Sequence, residues 1–249
     1  MCELLGFSAA RSSDITKQLR EFYSHSSTNP HGWGIMYSGG TLRESLKASE
    51  SDKLSKILDY IEPQRILLAH IRFATVGSIR QENCHPFTAA DVTGRQWTMI
   101  HNGTIYSGSR LIPMLSRQKG DTDSERLFLY LLDKLNSAQA ERPLHPSERF
   151  KLVEEIVFDI APRNKLNLMI YDGELLYIHK NMEETMKFRE IGSGVMFATT
   201  ALDDGDWQEV PMAQLLAYRD GERVFEGTKH KGIFVPTLQY ITAMDAMNI

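Results

Sequence analysis

The order in which periodic segments appear along the chain restricts its fold more than any single motif does. Strand-like apolar runs come early and late, and the two strongest helical patterns lie between them. Residues 4–9 read as a buried strand, after which Ser13-Asp14 can cap a helix with Ile15, Leu19, Phe22 and Tyr23 on one face. That helix ends by the polar run 24–29. His31-Gly32-Trp33-Gly34 leads into a strand at 35–37, and Ser38-Gly39-Gly40 turns it into a partner strand from Thr41. Leu54, Ile57, Leu58 and Ile61 stand at helical spacing until Pro63 stops them, and residues 66–72 follow as a buried strand. A short strand at 97–100 runs into His101-Asn102-Gly103, where the expectation is a turn with positive φ.

The central helices are signalled by chemistry as well as by period. Thr122 and Glu125 fit a capping box ahead of Leu127, Phe128, Leu131, Leu132 and Leu135. A second helix from Ser147 buries Phe150, Leu152, Val153, Ile156, Val157 and Ile160, with Pro162 near its end. Beyond it, 166–171 and 174–178 flank Asp172-Gly173 as a hairpin, 195–200 forms a further strand, and 214–218 with 223–225 repeat the hairpin around Asp220-Gly221. Early and late strands must then share sheets around the central helices. That order gives an α+β fold with largely antiparallel sheets, rather than a regular βαβ alternation. With no Pro/Gly/Ser-rich linker, the 249 residues are expected to form one domain, 1–249.

Composition narrows the function by exclusion. A formal net charge of -4, with basic residues scattered, provides no general attraction to nucleic acid or to a membrane surface. No apolar run approaches the roughly 20 residues of a membrane-spanning helix, and the N-terminus lacks a signal-peptide pattern, so a cytoplasmic protein is expected. Two cysteines, Cys2 and Cys84, are too few for a disulfide framework. His70, His85 and His101 match no standard metal-ligand spacing and read as core histidines; neither a metal nor an organic cofactor is expected.

Five positions stand where chemistry can be held in place. Cys2 lies one peptide bond behind Met1; if Met1 is removed, a thiol and a free α-amine share one residue, and the amine, with a reference pKa of about 7.7–8.0, can take the thiol proton. Arg72 ends an apolar strand, and its planar fork suits the α-carboxylate of an amino acid or, equally, a neighbouring carboxylate. Asn102 and Gly103 offer a side-chain amide and a backbone N–H of the kind that stabilises an oxyanion, or simply a turn. Asp123, in the first turn of a helix, can bind an α-ammonium or complement the helix dipole.

Taken together, Met1-Cys2, His70-Ile71-Arg72-Phe73-Ala74-Thr75-Val76-Gly77, Asn83-Cys84-His85-Pro86, His101-Asn102-Gly103 and Thr122-Asp123-Ser124-Glu125 resemble the ordered motifs of class-II glutamine amidotransferases, a group of N-terminal nucleophile hydrolases. The start Met-Cys-Glu-Leu-Leu-Gly is most similar to stand-alone bacterial members. The resemblance implies a four-layer αββα sandwich, Cys2 as nucleophile, Asn102 and Gly103 as the oxyanion hole, and Arg72, Thr75 and Asp123 around the substrate's amino-acid end. It implies hydrolysis of glutamine or another γ-glutamyl compound, with an ammonia-accepting synthase subunit as one possible partner and independent action on a γ-glutamyl peptide or thiol derivative as the alternative. A silent amino-acid-binding module is a third reading. Phe73 and Val76 depart from the tryptophan and histidine common at those family positions, which bears on substrate preference.

Overall fold

The computed structural model describes residues 2–236. Its first part contains β1 (Glu3–Ser13), α1 (Thr16–Ser24), the hairpin β2 (Trp33–Tyr37) and β3 (Gly40–Glu44), α2 (Asp52–Tyr60) and β4 (Gln64–Ile71). Then come β5 (Phe87–Ala90), β6 (Gln96–Thr104), a 3-10 stretch (Ser109–Ser116), α3 (Asp123–Ala138) and α4 (Pro146–Ile160). The chain continues through β7 (Lys165–Tyr171), β8 (Leu176–His179), β9 (Lys187–Ile191), β10 (Gly194–Ala198), β11 (Gln208–Glu209), β12 (Leu216–Arg219) and β13 (Glu222–Glu226).

Two antiparallel sheets result, in the orders β11-β9-β10-β1-β4-β2-β3 and β13-β12-β8-β7-β6-β5. The first is closed through the middle by strands from opposite ends of the chain, with Leu5 opposite Ala198 across β1 and β10. Each sheet carries helices on its outer face. Leu19, Phe22 and Tyr23 of α1 and Leu54 of α2 pack on Phe7, Ile35, Leu67 and Met196. Leu127 and Leu131 of α3 and Val153 and Val157 of α4 pack on Trp97, Met99, Leu168 and Tyr177. Leu4, Leu68, Ile100, Met169, Ile178 and Phe197 fill the layer between the sheets. These three cores define the αββα sandwich. No helix among the described residues is long and apolar enough to cross a membrane.

Strand parity decides which residues face the inter-sheet layer, because successive side chains point to opposite faces. In β4, Leu67, Ala69 and Ile71 face the helices and Leu68 faces the other sheet, so His70 does too. In β6, Trp97 and Met99 face the helices and Ile100 the inter-sheet layer, which sends Asn102 to that same inner face. Leu4 is likewise an inter-sheet residue, so Cys2, two positions before it, belongs to the same side.

Two local expectations are corrected. Gly103 is not in a turn and has no positive φ: β6 continues through it to Thr104, paired with β7 at Gly103–Leu166. The capping box at α3 is half-formed. Thr122 Oγ1 accepts from Glu125 N at 3.2 Å, but the Glu125 carboxylate accepts from Lys119 N and Gly120 N at 2.8 and 2.7 Å and anchors that loop instead.

Candidate active site

The site forms where the inner faces of the two sheets meet at one end. Glu3 pairs with Ile71, so Cys2 lies beside the first residues after β4. Phe73 brackets the sulfur with its backbone: its N–H donates to Cys2 Sγ at 3.2 Å, and the thiol donates to its carbonyl at 3.3 Å. Burial pushes the Cys2 thiol above its ordinary pKa, against smaller downward pulls from the Phe73 backbone bond first and then from nearby positive charges, Arg72 and Lys165 among them. Near neutral pH it is a thiol, and a nucleophilic role requires a base.

From the opposite sheet, Asn102 Nδ2 donates to the carbonyl oxygen of Cys2 at 2.6 Å. Lys165 Nζ, on a residue only 1% exposed, donates to Asn102 Oδ1 at 3.2 Å. Its neighbour Gly103 is a glycine for a contact reason: a Cβ there would stand 1.9 Å from the Lys165 carbonyl oxygen and 2.4 Å from His101 Nε2. His101 Nε2 lies 3.2 Å from that same carbonyl and Nδ1 lies 2.9 Å from Ser124 Oγ. A carbonyl only accepts, so Nε2 carries the hydrogen of the neutral ring and Nδ1 accepts from the serine.

Cys2, Arg72, Thr75, Gly103 and Asp123 line one small pocket, together with Val76 and His85. Asn102 meets that group through its bond to Cys2, so the structure assembles every residue singled out in the sequence. Arg72 is buried, and among the described residues no carboxylate pairs with it. Its guanidinium donates to the carbonyls of Ser78 at 3.0 Å, Val76 at 3.0 Å and Gly77 at 3.3 Å, holding the loop after β4. The same loop is stapled from outside by Asp121, which accepts from Ser78 N and Oγ and from Asn83 Nδ2. His31 Nδ1 accepts from Ala74 N at 2.9 Å. Asp123 accepts one backbone N–H on each oxygen, from Ile105 at 2.6 Å and Ser124 at 2.9 Å.

His101 is a hydrogen-bonded core histidine, but His70 and His85 are not. Their rings lie 4.2 Å apart and buried, and among the described residues none of their four nitrogens has a partner in good hydrogen-bond geometry, although His70 lies near the His101 backbone. Burial holds His70 down to about 3 and His85 well below the usual histidine range, so both are neutral. Among the described residues no group of three histidine, cysteine, aspartate or glutamate side chains is placed to hold a metal ion. Sequence reading missed Lys165. Its one available signal was a lysine entering the apolar run 166–171, and nothing local told which face it would take.

A family model for class-II glutamine amidotransferases matches residues 1–192. "Putative glutamine amidotransferase YafJ" of Escherichia coli K12 is 33% identical over 180 residues, covering 70% of each chain. Among solved structures, one titled "predicted glutamine amidotransferase" from Pseudomonas aeruginosa PA01 superposes with a TM-score of 0.65 at 22% identity, over 90% of this chain and 100% of that one. Glutamine phosphoribosylpyrophosphate amidotransferase from B. subtilis gives a TM-score of 0.64 at 16% identity, over 93% of this chain and 50% of its own length. At these identities the structural likenesses speak for the fold.

Proposed function

We propose, on the premise that this chain belongs to the class-II glutamine amidotransferase family, that it hydrolyses the side-chain amide of glutamine through a thioester on Cys2. Members of that family are enzymes of the N-terminal nucleophile hydrolase type. The observation that carries this reading is the convergence on Cys2 of two elements from different sheets: the Phe73 backbone around the sulfur and the Asn102 amide at 2.6 Å from the Cys2 carbonyl.

Once Met1 is removed, the α-amine of Cys2 takes the proton that burial keeps on the thiol. The sulfur attacks the substrate's side-chain carbonyl carbon, and the carbonyl oxygen becomes an oxyanion. Asn102 Nδ2 carries two hydrogens; one keeps its bond to Cys2 while the other, with Gly103 N–H, receives the oxyanion. Collapse expels the nitrogen, which leaves as ammonia with the proton returned by the α-ammonium. Water then cleaves the thioester to glutamate and free Cys2.

Three of the five Arg72 donors serve the loop, which leaves two for the substrate carboxylate. Each Asp123 oxygen keeps a lone pair for the substrate ammonium beside its backbone bond. Thr75 lines the same recess. One amidotransferase domain over 1–249 carries the activity in this reading, supported by β1 lying between β10 and β4. The ammonia passes to a synthase subunit. Apolar Val76 lines the pocket and makes no polar demand on a ligand through its side chain, which favours a second substrate, a γ-glutamyl peptide or thiol derivative.

Intact mass before and after treatment with 6-diazo-5-oxo-norleucine tests the mechanism. Loss of Met1 and one adduct mapped to Cys2 is the expected result. Retained Met1 with no adduct would overturn it in favour of a binding module. Ammonia release from glutamine, measured beside glutamate release from γ-glutamyl peptides, decides between the two substrates.

A further inference from the structure

Lys165 is a fully buried cation on a strand with no part in the reaction as written, yet it meets Asn102, His101 and Gly103, the stretch that carries the proposed oxyanion donors. Its ammonium donates to Asn102 Oδ1 at 3.2 Å. Its carbonyl oxygen lies 3.2 Å from His101 Nε2 and leaves room only for glycine at 103. The register makes this possible: Asn102 pairs with Asn167 and Thr104 with Lys165, so Asn102 and Lys165 are diagonal neighbours on one face, within reach of a long side chain.

An asparagine amide is nearly symmetric in shape, and its neighbours decide which end faces where. A lysine ammonium has three donors and no acceptor, so the end turned toward Lys165 must be the oxygen. Nδ2 is therefore turned toward Cys2, as its 2.6 Å bond to the Cys2 carbonyl shows. We infer that Lys165 is a positioning residue of the oxyanion site, fixing the Asn102 amide with Nδ2 toward the nucleophile and polarising it as a donor while negative charge develops. The inference rests on the amidotransferase reading for its catalytic consequence, but its structural half stands on the amide alone. The positive charge also stands near the thiol, where each group pulls the other toward its charged form; on Lys165 burial outweighs that pull and leaves it at about 8.

The test replaces Lys165 by Met, which fills similar space without a donor, and by Gln, which keeps a neutral donor. In Lys165→Met, glutaminase kcat should fall on the order of 10- to 100-fold with KM within about twofold, short of the roughly 100- to 1000-fold cost of losing an oxyanion donor outright. Lys165→Gln should recover part of that loss. On an Asn102→Ala background, Lys165→Met should cost less than about twofold, since Lys165 acts through that amide. Equal losses in both backgrounds, or a change confined to KM, would overturn the inference. A second arm does not depend on turnover: the Asn102 side-chain NH2 resonances should show a contact to Cys2 that disappears in Lys165→Met. If the contact persists there, Lys165 does not orient the amide. If the unmodified enzyme releases no ammonia while the contact behaves as expected, the amidotransferase reading fails and the positioning role stands.

Discussion

The two halves of the pocket are built by different means. Asn102, Gly103 and Lys165 belong to adjacent strands of one sheet, where ladder hydrogen bonds and close backbone packing set every position. Arg72, Thr75 and Val76 belong to a loop or its root, held by an arginine fork on three carbonyls and by the Asp121 staple. A sheet ladder tolerates little displacement, whereas a loop tied by side chains can open and close at small cost. In the proposed mechanism the sheet half acts on the reacting carbonyl, and the loop half recognises what surrounds it. Mutations should therefore separate: kcat on the sheet side, KM on the loop side.

The largest expected effect sets the scale for both halves. Cys2→Ala should abolish glutaminase activity, by on the order of 10⁴-fold or more, in a protein with an unchanged melting temperature. Full activity in that folded variant would remove the nucleophile and the comparison with it. Next comes Arg72→Lys, which keeps the charge but replaces a planar fork by a point charge unable to span three carbonyls. Here KM for glutamine should rise about 10- to 100-fold while kcat changes less; a loss confined to kcat would break the division between the halves.

The smallest effect concerns the seam on which the halves rest, the tilted ring pair of His70 from β4 and His85 from the loop. Both are held neutral by burial, His70 down to about 3. A histidine whose folded pKa lies below its unfolded value of about 6.5 stabilises the fold fully above that pH. Below it the unfolded chain binds the extra proton, and stability drains away as pH falls from about 6.5 toward 3. Each such histidine should lower the melting temperature by roughly 2–5 °C per pH unit in that window, read by calorimetry. A flat melting temperature from pH 6.5 to 4 would show that the seam does not depend on neutral rings.

Much of this was legible in the chain because it is local or combinatorial. Strand and helix positions followed from period, the hairpins at Asp172-Gly173 and Asp220-Gly221 from turn chemistry, and the join of early with late strands from their order. The ordered motifs around Cys2, Arg72, Asn102 and Asp123 pointed to a family that the comparisons then showed. The short strands β5, β9 and β11 escaped, since each is too brief or too polar to carry its own period and exists through pairing with a neighbour.

What the sequence determined by itself is what a residue type and its near neighbours dictate: the elements, their class, and a list of groups able to do chemistry. Only the tertiary structure decided how those groups meet. Gly103 looked like a turn former and is small because the Lys165 backbone from another strand presses on it. Arg72 looked like a fork for a carboxylate, of substrate or of protein, and holds the carbonyls of its own loop. Lys165 looked like nothing in particular until the pairing of β6 with β7 set it beside Asn102. The register that brings Asn102 and Lys165 together, 63 residues apart in the chain, is fixed by the summed burial of two faces, a non-local quantity that no window of sequence contains.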